Sequence, residues 1–278
     1  MLKNVFKVLS VFFLAGFSFF YTEKVVKVVR KNDPIMIKLN EIKNEKTIKT
    51  VKPIIKNDEY ITGIFNCEID IDESYNKMKT AGEYKEELLV MKEVNQDKVY
   101  DKYIISGNKI NKNISLILII KGDINDELFS YLNENDINVN LFVDQKFLQD
   151  NTSVIKILSE KHKIYYFGEK GKYEEKYMLF ANNLIEINSN NLSKYCLIDE
   201  KNEQILNLCS NYNMSTIKTE IIKNNILYKI KEKLGNGEIL TIDSDNYKEI
   251  ISSINYIRFK GYKIVPLEKL FNGENNCS

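Results

Sequence analysis

The sequence reads Gly237-Glu-Ile-Leu-Thr-Ile-Asp243 and, after a short interval, Ile254-Asn-Tyr-Ile-Arg-Phe-Lys-Gly-Tyr-Lys-Ile-Val-Pro-Leu-Glu-Lys-Leu270. The first piece is a short apolar run that ends in aspartate, which is typical of a buried strand followed by a loop. Asn246 is a good N-cap for a helix that leads into the second piece, where a new apolar run follows. The stretch therefore predicts a strand, a helix and a closing strand.

The same alternation of apolar runs and helical patterns extends upstream to Asn113. Such repetition predicts parallel strands joined by right-handed crossovers. The number of strands favours a distorted (β/α) barrel over an open doubly wound sheet, which stays the alternative. We expect strands at Ile114–Ile120, Val139–Val143, Ile164–Phe167, Tyr195–Ile198, Met214–Ile217, Ile239–Ile242 and Tyr262–Val265, and helices that begin near Asp126, Asn151, Tyr173, Asn202, Asn225 and Asn246.

Residues 113–271 resemble the polysaccharide deacetylase (NodB-homology) family through three motifs. The C-terminal stretch is similar to that family's G-x-I-x-L-x-H strand, its last helix and its G-Y-x-x-V-x-L closing strand. Leu132-Asn-Glu-Asn-Asp-Ile-Asn-Val-Asn-Leu-Phe-Val143 resembles the second strand with the helix end before it. Val154-Ile-Lys-Ile-Leu-Ser-Glu-Lys-His162-Lys-Ile164 resembles the next helix and its G-H-E-I ending. The resemblance implies the family's distorted barrel and carbohydrate as the substrate class.

The resemblance also implies a zinc site, which this chain does not retain. Active members hold zinc with an Asp and two His, use a second Asp as the base and use a late His as the acid, so that the metal polarises the amide while protons move. The matching positions are substituted: they fall on Ile119, Ile120, Phe167, Gly171 and Asp243. His162, the only histidine of the chain, matches a structural histidine of the family. We therefore expect no zinc cofactor.

Acidic residues follow most of the predicted strands. The carboxyl ends of barrel strands meet at one rim, where sites gather, and converging carboxylates can bind a hard cation or sugar hydroxyls. Ordinary solvated loop residues are the alternative interpretation. Tyr165, Tyr166 and Phe167 could offer a stacking face, but core packing is the simpler reading. The rim candidates are Asp123, Asp144, Asp199, Asp243 and Asp245, with Glu169 and Glu220 beside them.

The N-terminal region predicts an envelope location. Residues 5–21 are apolar on every side and lie between basic residues, which indicates a single membrane anchor or an export signal. With the resemblance, this places the C-terminal domain outside the cytoplasm of a bacterial cell, or secreted if the segment is cleaved. The predicted segments are 1–31 (start and anchor), 32–58 (lysine-rich spacer), 59–112 (small α/β region), 113–271 (deacetylase-like domain) and 272–278 (tail).

Composition excludes several classes of function. The 40 basic and 39 acidic residues leave a net charge of +1, so no overall field favours nucleic acid. The four cysteines form no CxxC pair, so we do not expect a disulfide framework, although a Cys196–Cys209 bond stays open. One histidine among 278 residues excludes histidine-rich metal chemistry.

Three functions are consistent with the sequence. The first is an inactive deacetylase-like protein that binds envelope polysaccharide, peptidoglycan or a wall-assembly partner. The second is a hydrolase with a relocated acidic site at Asp199, Asp243 and Asp245. The third is a purely structural partner of a membrane protein, in which case large side chains should close the groove.

Overall fold

The computed structural model describes two compact units. The first draws on Met1–Lys49 and Asn66–Val94, and the second on Thr50–Phe65 and Asn95–Asn276. None of the helices described is both long and apolar enough to cross a membrane, and the predicted segment 5–21 lies outside the described residues. The description covers residues 22, 24–46, 51–63, 67–93, 99–122, 124–169, 171–189 and 193–272.

Helices and strands alternate along the chain. The helices are α1 (Pro34–Lys46), α2 (Ile71–Ala81), α3 (Asp126–Glu134), α4 (Gln145–Asp150), α5 (Thr152–Ser159), α6 (Glu175–Ser189), α7 (Glu203–Asn211), α8 (Ile226–Lys233), α9 (Tyr247–Phe259) and α10 (Leu267–Asn272). The strands are β1 (Ile54–Lys56), β2 (Glu59–Ile61), β3 (Cys67–Ile69), β4 (Met91–Glu93), β5 (Tyr103–Ser106), β6 (Asn113–Ile120), β7 (Asn140–Val143), β8 (Lys163–Tyr166), β9 (Tyr195–Ile198), β10 (Ser215–Lys218), β11 (Ile221–Ile222), β12 (Ile239–Ile242) and β13 (Lys263–Ile264).

Local sequence signals fix where several helices begin. The side chain of Asn125 accepts a hydrogen bond from the backbone N–H of Leu128 at 2.9 Å. Asn202 does the same for Ile205 at 3.1 Å. Each bond satisfies a donor that the first turn of a helix leaves unpaired. The predicted helix starts near Asn202 and Asp126 are therefore confirmed, and so are the seven predicted strands to within a few residues.

The first unit contains structure where we expected a spacer. Residues 32–58 include helix α1, which packs on α2 through a small core with Leu39, Ile69 and Met78. The sequence pattern does not predict α1, because lysines interrupt its apolar positions. The predicted 59–112 region is also divided: β3, α2 and β4 lie in the first unit, whereas β2 and β5 lie in the second.

Strands of the second unit form two sheets. One has the order β11-β12-β6-β7-β8, all parallel, with β13 also parallel to β6. The other has the order β1-β2-β5-β10-β9 and is parallel except for β1. The predicted α/β architecture with parallel strands is confirmed. The structure has two sheets where we expected one barrel sheet. Strand β10 pairs with β9 and β5 in one sheet, whereas β11, the next strand along the chain, pairs with β12 in the other.

One buried core joins the two sheets. Alternate residues of a strand face opposite sides, and the inward residues of both sheets, such as Ile119, Phe142, Leu197 and Ile217, belong to one apolar cluster. The outward residues pack under the helices in a second cluster. The strand ends are therefore held around an interior filled by side chains.

A disulfide ties strand β9 to helix α7. Cys196 and Cys209 are joined, and both side chains are fully buried. From the sequence this bond stayed open but was not expected, and the structure shows it. The sequence carries no signal for the bond because its partners lie 13 residues apart and become neighbours only when α7 folds back onto β9.

Replacing both cysteines, as Cys196→Ala with Cys209→Ala, should lower the free energy of unfolding by about 3 kcal/mol, because a cross-link of this loop length restricts the unfolded chain. Urea unfolding of wild type and double variant measures the difference. Peptide mapping without reductant should recover fragments containing Cys196 and Cys209 as one linked species; their recovery as separate peptides would contradict the assignment.

Candidate functional site

The residues that replace the catalytic positions lie at the C-terminal ends of the strands. A cavity of about 120 Å³ opens there, and its walls include Phe167, Gly171, Asp199 and Asp243. Binding sites for small molecules usually measure about 300 to 1,000 Å³. This rim cavity is therefore smaller than a sugar site.

Apolar packing fills the space beneath the rim cavity. Ile119 lies opposite Phe142 in the β6–β7 ladder and is 6% exposed. It shares a buried cluster with Phe167. Ile120 faces the other way and packs on the cluster under the helices. The two positions matching the family's aspartates thus point to opposite sides of the strand.

The ring of Phe167 packs against Gly171 at the rim. Gly171 has φ of +82°, and a Cβ built on it would lie 3.4 Å from the Phe167 ring. The left-handed backbone and the ring together disfavour any larger side chain at position 171. The positions that match the two metal-binding histidines are therefore packed against each other.

An ion pair lies beside the Phe167 ring. The Lys121 ammonium contacts Asp243 Oδ2 at 2.6 Å and lies 5.9 Å from the ring centroid of Phe167. The Asp243 side chain is 16% exposed, so most of its charge is shielded from water. A positive charge of the protein itself therefore balances the aspartate at the position of the family's late histidine.

Among the described acidic residues, Asp144 and Asp199 accept hydrogen bonds from separate partners, although Asp199 shares the wall of the rim cavity with Asp243. Asp144 caps helix α4 by accepting a hydrogen bond from the Phe147 N–H at 2.8 Å. Asp199 accepts one from the Glu200 N–H at 3.0 Å. Asp245 is not among the residues that line the rim cavity, and Asp123 lies outside the described residues.

Glu220 is neutralised by its own neighbourhood. Lys229 and Lys233 contact its two carboxylate oxygens at 2.6 and 2.7 Å. Hydrogen bonds from these lysines lower the pKa of Glu220 to about 2. Glu169 lines a different cavity, of about 340 Å³. In the part of the chain that the structure describes, no three His, Cys, Asp or Glu side chains are placed to hold a metal ion.

The aromatic run after α5 does not offer a stacking face. Tyr165, Tyr166 and Phe167 are 0%, 1% and 4% exposed, so their rings belong to the core. Sequence reasoning missed the part that Tyr173 plays beside them. Its hydroxyl donates to the Tyr166 carbonyl at 3.1 Å and accepts from the Leu197 N–H at 2.9 Å. This residue joins β8 to β9, and burial raises the pKa of its phenol.

Solved structures share the fold described above. A family 4 carbohydrate esterase pseudoenzyme from Bacillus anthracis superposes with a TM-score of 0.60 at 16% identity, over 87% of this chain and 96% of that chain. The chain has the family 4 carbohydrate esterase fold. A family 4 carbohydrate esterase from Bacillus subtilis superposes with a TM-score of 0.51 at 16% identity, over 62% of this chain and 85% of that one.

A peptidoglycan N-acetylglucosamine deacetylase superposes with a TM-score of 0.52 at 11% identity, over 63% of this chain and 95% of that one. No protein-family model and no curated protein matches the sequence. The predicted resemblance to the polysaccharide deacetylases is therefore confirmed at the level of the fold.

The zinc of the family 4 fold does not fit the residues present. His162 is the only imidazole of the chain, and it lies at the N-terminal end of β8, away from the rim. Its ring is 1% exposed, accepts a hydrogen bond from the Val139 N–H at 3.4 Å and contacts Phe129 edge to face. This agrees with the prediction that His162 is a core residue.

Burial, with a smaller contribution from Lys161, lowers the pKa of His162 from 6.5 to about 4. Between these pH values the unfolded chain binds a proton that the folded chain does not. Stability should therefore fall as the pH decreases from about 6.5 to 4, by up to roughly 3 kcal/mol relative to a His162→Leu variant. Urea unfolding across this range measures the difference between the two proteins, and parallel curves would contradict the assignment.

Proposed function

We propose that this chain is a membrane-anchored, extracytoplasmic deacetylase-like protein without catalytic activity, which binds envelope glycan or a wall-assembly partner. The observation that carries the loss of activity is the closed rim. Phe167 packs on Gly171, and Lys121 neutralises Asp243 at 2.6 Å. Amide hydrolysis of this kind needs a polarising cation, a base and an acid around one open position.

Among the described residues, the rim cavity has two lysines and two aspartates on its wall, Lys121, Lys223, Asp199 and Asp243, and no group of three possible metal ligands. Asp243 neutralises the Lys121 ammonium. This ammonium is therefore not available to polarise a carbonyl oxygen of a substrate. Asp199 also borders the rim cavity, but its Oδ1 accepts the Glu200 N–H. The alternative of a relocated site needs Asp199, Asp243 and Asp245 together, but only Asp199 and Asp243 border the rim cavity.

The disulfide supports a location outside the cytoplasm. A buried bond such as Cys196–Cys209 persists in oxidising compartments and is rare where thiols are kept reduced. It agrees with the apolar segment 5–21, which would tether the folded units to the outer side of the membrane. Glycan as the ligand class is supported by the neighbouring structure that is a peptidoglycan deacetylase.

Metal analysis and an acetate assay test the loss of activity. The purified full chain, saturated with zinc and then dialysed, should retain much less than one zinc per molecule and release no acetate from chitooligosaccharide or peptidoglycan. The Asp243→Asn variant should give the same result, because no step depends on that carboxylate. One tightly bound zinc per chain together with acetate release would overturn the proposal.

Protease accessibility tests the location. When intact cells that carry the full chain are treated with a protease that cannot cross the membrane, the folded units should be degraded while a cytosolic marker survives. Degradation only after the cells are broken would contradict an extracytoplasmic location. A pull-down from solubilised envelopes separates the two ligand classes: recovery of a protein without glycan would favour the structural-partner alternative.

A further inference from the structure

Another cavity, larger than the rim cavity, lies mainly at the N-terminal ends of β5, β9 and β10, with Thr62, which follows β2, on its wall. It has a volume of about 300 Å³. Tyr195 and Ser215, at the start of β9 and β10, line this basal cavity, whereas Ile198 and Asp199, at the end of β9, line the rim cavity. Helix α10 contributes Glu268 and Phe271 to its wall. None of the rim positions borders it.

Aromatic rings form much of the wall of the basal cavity. Tyr60, Tyr195 and Phe271 are 6%, 7% and 3% exposed, and the rings of Tyr195 and Phe271 meet edge to face at 5.5 Å. Tyr100 and Tyr212 also line the cavity. Tyr60, Tyr195 and Phe271 belong to the buried core cluster, so the rings that a ligand can reach are those of Tyr100 and of Tyr212, which is 36% exposed.

Three oxygen atoms of the wall have no hydrogen-bond partner: Thr62 Oγ1, Ser193 Oγ and Glu268 Oε2. Thr62 is 5% exposed. The other oxygen of Glu268 accepts the Tyr165 hydroxyl at 2.5 Å, which leaves Oε2 as the open acceptor. Buried polar atoms are usually paired with protein groups or with water, so these three oxygens form a polar lining that a ligand or water can satisfy.

We propose that the basal cavity binds a single neutral pyranose ring. A sugar ring presents apolar C–H faces to aromatic side chains and hydroxyls around its edge. Glu268 Oε2 can accept one of these hydroxyls, while the hydroxyls of Thr62 and Ser193 can donate or accept. This inference rests on the proposed function only for its ligand class, and it moves the glycan contact from the closed rim to the other end of the strands.

Size and charge favour one uncharged ring. The volume of about 300 Å³ is at the lower end of the range for ligand sites, which suits one ring of a glycan rather than several. Lys194 and Glu268 bring one positive and one negative charge to the wall. The cavity therefore has no excess charge that would select a cation or an anion.

Saturation-transfer NMR on the full chain, with N-acetylglucosamine and methyl glucoside as probes, tests the proposal. At least one probe should receive magnetisation through its ring protons. Glu268→Gln, which keeps the shape and removes the charge, and Thr62→Val should each weaken binding about tenfold or more, as expected for the loss of one hydrogen bond in a buried site. Thermal melting shows whether the variants fold. If Glu268→Gln does not fold, Thr62→Val provides the test.

Asp199→Asn serves as the matched control, because it changes a carboxylate of the rim cavity and should leave saccharide binding unchanged. Weaker binding in Asp199→Asn with normal binding in Glu268→Gln would place the sugar at the rim and overturn the inference. Absence of transfer to either saccharide would mean that water alone occupies the basal cavity, which also overturns it. Neither outcome depends on zinc content or acetate release, so the proposed loss of activity is tested separately.

Discussion

The Tyr173 hydroxyl joins two strands that share no β-ladder. It donates to the Tyr166 carbonyl of β8 and accepts from the Leu197 N–H of β9, at the place where one sheet ends and the other begins. Unpaired backbone groups at such a junction would cost free energy in a dry interior. By satisfying them, Tyr173 allows both sheets to enclose one apolar core, and every strand end takes its position from that core.

The enclosed core explains how this fold accommodates apolar side chains at the rim. Carboxylates and imidazoles that hold a metal must be desolvated, which destabilises a protein when the metal is absent. Ile119 and Phe167 instead add apolar area to the same cluster. Asp243 keeps a charge at the rim, and Lys121 provides the balancing charge at 2.6 Å. The rim is thus stable without a bound cation.

Sequence patterns were sufficient for the strands because each apolar run is bounded by polar or turn residues. The patterns did not predict α1, because lysines interrupt its apolar positions. They did not predict the Cys196–Cys209 bond either, because no sequence motif indicates it. The sequence alone provides the count of one histidine, which cannot supply the two imidazoles that the family uses. The basal cavity was not predictable, because Thr62, Tyr195 and Glu268 are far apart in sequence. They become neighbours only when β2, β5, β10 and β9 pair and α10 packs against that sheet.

The two ends of the strands therefore differ in a way that stability alone does not explain. At the rim, Asp243 is paired and the cavity measures about 120 Å³. At the base, three wall oxygens remain unpaired around about 300 Å³. Each unsatisfied buried group costs about 1 to 3 kcal/mol, and Thr62→Val would relieve one such cost with almost no change in shape. The three oxygens differ from the unpaired side-chain atoms elsewhere in the core, such as Thr216 Oγ1 and Thr241 Oγ1, because they line a cavity in which a ligand hydroxyl can pair with them.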